Sequence, residues 1–184
     1  PRHSVPDTMK LHSYSFPIET ERLYFRPLSH EDVPAWTTFF INNPNLHFVG
    51  VTDQKAPELQ SEIWIDRQMK RYDETGIGIL AACHKQSHRL VGNAGIIWRD
   101  DILGKPEFEI GYSVIPELWG QGLASEMAIA LKQYFIHQQI SNRVVSIIHI
   151  DNVGSQQVAL KNGMSRGPQF EFLSSPCYLY QCEV

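Results

Sequence analysis

A chain of 184 residues with 42% hydrophobic and 20% charged side chains has the balance of one globular domain, long enough to bury roughly two-thirds of its unfolded surface without disulfides or metal staples. A formal net charge of −4 argues against nucleic acid held by charge alone and tolerates a basic substrate better. No apolar run approaches the roughly eighteen residues of a membrane span, and no secretion signal opens the chain, so a cytoplasmic protein without membrane contact is expected. The odd set Cys83, Cys177 and Cys182 agrees with a reducing compartment and offers no close metal-ligand pair.

Residues 1–18 show no clear periodicity and read as a loose leader; residues 19–184 read as a single domain. Leu23 and Phe25 alternate with Tyr24 and Arg26 in a strand that Pro27 closes. Ser29 caps a helix whose first turn carries Glu31 and Asp32, and that helix is expected to run to about Asn42. After a mixed loop, Pro57 sits at a first-turn position of a second helix. Leu59, Ile63, Trp64 and Arg67 recur there at helical spacing, and Gly76 is a stop. Residues 78–85 and 90–98 form a hairpin of strands, followed by a second turn region from Asp100 to Pro106. His84 and His88 straddle the first turn with no third ligand at suitable spacing, so no metal site is expected.

Residues 108–126 organise the rest. Phe108, Ile110, Tyr112 and Val114 alternate as a strand, Pro116 ends it, and Gly120 and Gly122 permit positive φ just where a helix begins. Several N–H groups can then converge on one point at a helix N-terminus, which suits a phosphate. Ser125 replaces the third glycine of the dinucleotide fingerprint, and no Gly-Lys-Ser/Thr ending is present, so both nucleotide motifs fail. Ala124, Met127, Ala128, Leu131 and Phe135 make one helical face, and residues 143–150 read as a buried strand. Strand, turn, helix and strand form a crossover unit whose helix start lies beside strand ends. Asn152 and Ser155 can cap a further helix that Gly163 ends, and residues 164–172 and 177–182 supply a terminal hairpin.

Trp119-Gly120-Gln121-Gly122-Leu123-Ala124-Ser125-Glu126 resembles the pyrophosphate loop of the GNAT superfamily of acyl-CoA N-acyltransferases, in the W-G-x-G-x-A-x-E form of the ribosomal-protein N-terminal acetyltransferase (RimJ/RimL-type) branch. Glu19-Thr20-Glu21-Arg22-Leu23 with Arg26-Pro27-Leu28 is similar to that branch's opening, and Asn152…Ser155…Gly163-Met164 to its second coenzyme A segment, with Met164 in place of the common Phe. The resemblance implies an α/β fold with a mixed, mostly antiparallel sheet whose central strands splay apart, flanked by helices. It also implies acetyl-CoA as co-substrate and a primary amine, on a protein N-terminus or a small molecule, as acceptor, in a monomer or homodimer. Trp119, Gly120, Gln121, Gly122, Leu123, Ala124 and Ser125 would hold the pyrophosphate, Asn152 and Ser155 would lie beside coenzyme A, and amides of Tyr112, Ser113 and Val114 would polarise the thioester.

Acyl transfer to an amine also needs a base, and Glu109 is the candidate, on the strand face opposite Phe108, Ile110 and Tyr112. The alternative is that Glu109 reaches solvent or pairs with an arginine; Glu107 shares its face as the reserve. Ser155 is the candidate acid for the departing thiolate, with Tyr178 and Tyr180 as alternatives. The rival to an enzyme is a non-catalytic coenzyme A-binding module.

Overall fold

The computed structural model describes residues 10–184. Along the chain run β1 (Leu23–Pro27), α1 (Val33–Thr37), α2 (Pro57–Thr75), β2 (Ile79–His84), β3 (Leu90–Ile102), β4 (Lys105–Val114), α3 (Leu123–His137), β5 (Arg143–His149), α4 (Val153–Lys161), β6 (Ser165–Phe172) and β7 (Ser175–Glu183). The strands form one seven-stranded sheet in the order β1-β2-β3-β4-β5-β7-β6. Every neighbouring pair is antiparallel except β4 with β5, which the helical crossover α3 makes parallel.

Period-two alternation sends the two faces of the sheet to different partners. Ile110 and Val114 of β4 and Val144 and Ile148 of β5 pack under Leu123, Met127, Leu131 and Phe135 of α3. On the opposite face, Ala81 and Cys83 of β2 meet Trp36, Phe39, Phe40 and Ile65 from the α1–α2 region, where the Trp36 and Phe39 rings stack at 4.4 Å. Each such fully buried large side chain contributes about 1.5–3 kcal/mol by leaving water. Helices on both faces thus sandwich the β1–β4 half. Among the described residues no helix is long and apolar enough to cross a membrane.

Three details differ from the expectations. The helix expected to reach Asn42 is a single α turn, α1, between short 3-10 turns at His30–Asp32 and Thr38–Phe40. Pro34 in its interior lacks the N–H that would continue an α ladder, and Asn42 ends the segment with a positive φ of 50°. The turn expected over Asp100–Pro106 shrinks to Leu103-Gly104, both at positive φ, because β3 and β4 extend toward it as a long hairpin. In α2 the buried positions are Gln60, Ser61, Ile65 and Gln68, while Leu59 and Ile63 are exposed. Polar residues take the buried stripe because they satisfy backbone groups: Ser61 Oγ donates to Val33 O at 2.9 Å, and Gln68 Oε1 accepts from Ile79 N at 3.0 Å.

Of the expected leader, residues 1–9 lie outside the described residues, whereas the following stretch lies against the body. Tyr14 Oη donates to Gly78 O at 2.7 Å and accepts from Ile96 N at 2.9 Å, stitching the backbone where β2 has not yet begun to pair, and Ile18 is buried.

Candidate active site

The glycine turn sits at the N-terminus of α3 with Gly122 as its cap residue, at φ +77°, and Gly120 at φ +80°. A Cβ at Gly120 would meet nothing within 4 Å, so backbone conformation rather than space demands glycine there. The first amides of α3 have no intrahelical acceptor, an arrangement suited to a diphosphate. Trp119 pins the turn to the end of β4, its Nε1 donating to Val114 O at 2.8 Å.

Two motifs separated by about a hundred positions meet at this turn. Thr20 Oγ1 donates to Glu126 Oε2 at 2.5 Å, Arg22 Nε donates to Glu126 Oε1 at 2.8 Å, and an Arg22 terminal nitrogen reaches Gln121 O at 3.0 Å. Burial pushes the Glu126 carboxyl up, but the bonds from Thr20 and Arg22 outweigh it and hold the group below its ordinary range. A carboxyl depressed by folding stabilises above its unfolded pKa, and that contribution is lost as pH falls through the folded value. Glu126→Gln should therefore lower stability by about 1 kcal/mol near neutrality, Arg22 being partly exposed. Thermal melts should show the gap from wild type closing as pH drops below about 4.3.

β4 and β5 share a single register pair, Glu109 with Val145, reinforced by Ser146 Oγ donating to Ile110 O at 2.8 Å. Beyond Ile110 the two parallel strands part. The Ile115 N–H points toward β3, to Val91 O at 3.0 Å, so alternation along β4 turns the amides of Tyr112 and Val114 toward the opening and that of Ser113 away. The amides expected from residues 112–114 thus divide: two face the gap and one belongs to the β3 ladder.

A cavity of about 630 Å3 runs from this opening across the sheet face opposite α3, under α2 and the β6–β7 turn. Glu109, Gly111, Tyr112, Ser113, Asn152 and Ser155 line it together. Glu109 is buried and accepts from Arg99 Nε at 2.9 Å and from an Arg99 terminal nitrogen at 2.8 Å, both on Oε1; Oε2 has no partner among the described residues. The arginine pairing weighed as an alternative is therefore present, and the carboxylate still faces the cavity. Arg99 is backed by the Phe172 ring, 5.0 Å from its centroid. Glu107 lies outside the cavity lining, held by Arg143 Nε at 3.0 and 3.1 Å.

Asn152 caps α4, its Oδ1 accepting from Ser155 N at 3.1 Å. Ser155 Oγ donates to Tyr112 Oη at 3.0 Å, and that phenol donates to Ser155 O at 3.0 Å. Burial first, with Glu109 nearby, raises the Tyr112 pKa and keeps the phenol protonated. Tyr180 is buried against Gln156 Oε1 at 2.8 Å, and Tyr178 lies under Arg166; neither lines the cavity. Cys177 does line it, but burial and then the Glu109 charge push its thiol up to about 11, so it is a poor nucleophile at neutral pH. Among the described residues no cluster of three or more His, Cys, Asp or Glu is placed to hold a metal.

The turn of residues 120–125 lies outside the cavity lining, so the phosphate-friendly helix start and Glu109 sit at separate stations joined by the strand opening. Sequence reasoning did not single out Arg71, Arg99 or Asn93, all of which line the cavity; Arg67, placed in register with apolar positions of α2, was the one available signal.

Residues 22–165 match the family model described as acetyltransferase (GNAT) domain. The uncharacterized N-acetyltransferase YoaA of Bacillus subtilis is 27% identical over 154 residues, covering 82% of this chain and 84% of YoaA. An acetyltransferase structure from Agrobacterium tumefaciens superposes with a TM-score of 0.76 at 23% identity, covering 94% of this chain and 98% of that one. The structure of RimL, a ribosomal-protein α-N-acetyltransferase, in complex with coenzyme A superposes with a TM-score of 0.70 at 16% identity, covering 92% and 98%.

Proposed function

The chain belongs to the GNAT acetyltransferase family, and from that premise we propose that it transfers an acetyl group from acetyl-CoA to a primary amine by direct attack in a ternary complex. One observation carries this reading: a single cavity holds a buried carboxylate, Glu109, and reaches the strand opening where Tyr112, Asn152 and Ser155 gather. The coenzyme A-bound RimL neighbour supports the choice of acyl donor, and the ribosomal-protein branch makes a protein N-terminus one candidate acceptor beside small amines.

In this reading the turn of residues 119–125 and the dipole of α3 hold the diphosphate. The thioester enters between β4 and β5, where the outward amides of Tyr112 and Val114 stabilise charge developing on its carbonyl oxygen. The amine nitrogen attacks the carbonyl carbon, the C–S bond breaks, and the amine's proton passes to Glu109 Oε2, directly or through water. Arg99, fixed on Oε1, orients the carboxylate so that its second oxygen faces the acceptor. The departing thiolate is protonated through the Ser155–Tyr112 hydroxyl pair, which regains its proton from solvent. No enzyme-bound acyl group is needed, in keeping with a protonated Cys177.

Coenzyme A should raise the melting temperature more than ATP or NAD does, and acetyl-CoA with a broad amine panel should release free thiol. Stabilisation without thiol release from any amine would favour the non-catalytic binding module; stabilisation by ATP or NAD instead would defeat the reading outright.

A further inference from the structure

The charged side chains lining the cavity are Arg67, Arg71, Arg99 and Glu109, so a chain of net charge −4 carries a locally cationic pocket beside its candidate base. Taking acetyl transfer to an amine as the reaction, we propose that the acceptor carries an anionic group, a carboxylate or phosphate a few bonds from its amine, seated against Arg67 and Arg71.

Arg99 is committed to Glu109, with both contacts under 3 Å. Arg71 has one recorded side-chain bond, to the neutral Gln68 Oε1 at 3.0 Å, and among the described residues neither it nor Arg67 lies within ion-pair distance of a carboxylate. The two stand four residues apart on α2, where like charges oppose helix stability rather than support it. Burial, then repulsion from Arg99 and later Arg67, against the attraction of Glu109, brings the Arg71 pKa down to about 10, which still leaves it charged at neutral pH. A half-buried guanidinium without an anion, next to two others, costs stability inside the folded chain; an anion between them removes that cost.

Two further residues of the same lining hold unpaired polar atoms. Asn93, 1% exposed, has neither Oδ1 nor Nδ2 paired, and the buried Trp64 Nε1 is also without an acceptor, among the described residues. Buried polar atoms are nearly always paired, so unpaired ones just behind a cavity wall mark a polar lining. Coenzyme A phosphates do not account for the arginines. The phosphate-friendly turn opens α3 on the other face of the sheet, and none of residues 119–125 borders this cavity.

The test uses amines of matched length at saturating acetyl-CoA: β-alanine and phosphoethanolamine as anions, β-alaninamide and ethanolamine as neutrals, 1,3-diaminopropane as cation, and the dipeptide amides Ser-Asp and Ser-Asn. The anionic members should exceed their neutral partners in kcat/KM by about tenfold or more, as expected for charge-assisted bonds. The better of β-alanine and phosphoethanolamine identifies carboxylate or phosphate, and the dipeptide pair separates a small molecule from an acidic N-terminus. Arg71→Gln and Arg67→Gln should raise KM for the anionic acceptor by about tenfold, leave neutral acceptors within about twofold and leave coenzyme A affinity unchanged, while Arg71→Lys retains the preference. Equal or better use of neutral or cationic amines, or unchanged KM in both Gln variants, overturns the proposal. If no amine is acetylated at all, the transfer reading fails first. Calorimetry of glutarate and inorganic phosphate into the coenzyme A complex then decides: binding lost in the double Gln variant supports an anion pocket, and no binding refutes it.

Discussion

With Glu109 as the proposed base, replacing it by Gln should lower kcat by about a hundredfold to ten-thousandfold, the range for removing a general base, with coenzyme A affinity unchanged. Gln is nearly isosteric and its carbonyl oxygen can still accept from Arg99, so the cavity keeps its shape while the proton acceptor disappears. The distinguishing readout is the pH profile. Without a base only pre-deprotonated amine reacts, so the variant's rate should climb by about one log unit per pH unit below the acceptor's own pKa, narrowing the gap from wild type at alkaline pH. Losing the charge beside Arg99 also costs stability, so rates belong well below the variant's melting temperature. A kcat within twofold of wild type at neutral pH would remove Glu109 from the chemistry and leave its pairing with Arg99 as a structural role.

Arg143→Met costs about 3 kcal/mol of stability and lowers the melting temperature by roughly 6–12 °C, without a specific defect in acceptor selection. Arg143 holds the buried Glu107 through Nε, Gln181 through one terminal nitrogen at 2.8 Å and Glu183 through the other at 3.2 Å, so one side chain ties the starts of β4 and β5 to the end of β7. This lock lies just before the one register pair that β4 and β5 share, at the closed end of the opening. Met fills much of the volume but leaves a carboxylate with 2% side-chain exposure facing only Lys105 at 3.5 Å. Adding Glu107→Gln should recover most of the loss, because the penalty is the unpaired charge rather than the missing contact. Recovery below one third would refute that account.

The fate of the two carboxylates shows what chain reading could reach. Glu107 and Glu109 have the same parity on one strand, and nothing local separates them. The register does: Glu107 lies opposite Arg99 and beside the start of β5, while Glu109 lies opposite Ile97, with Arg99 on the diagonal. That diagonal, together with the parting of β5, leaves Glu107 enclosed by Arg143 and puts Glu109, paired with Arg99, on the cavity wall.

Local chemistry settled the elements. Period-two alternation over residues 108–114, glycines at 120 and 122 and the three-and-four spacing of α3 depend on neighbours within a few positions, so strand, turn and helix were legible directly. The family was legible in short motifs, and the mixed sheet was expected from the resemblance those motifs carry. Helix α1 was less legible because Pro34 and the following aromatic cluster trade α geometry for packing against the sheet, a nonlocal gain. Only tertiary structure joined Thr20 and Arg22 to Glu126, set Tyr112 against Ser155, and brought Arg67 and Arg71 from α2 over Arg99 and Glu109. Hydrogen bonds and ion pairs between segments tens of residues apart leave no periodic trace, because their geometry is created when helices fold down onto the sheet. The kind of reaction was therefore written in short motifs, while the charge of the cavity was decided by which face of α2 lands above the parting strands.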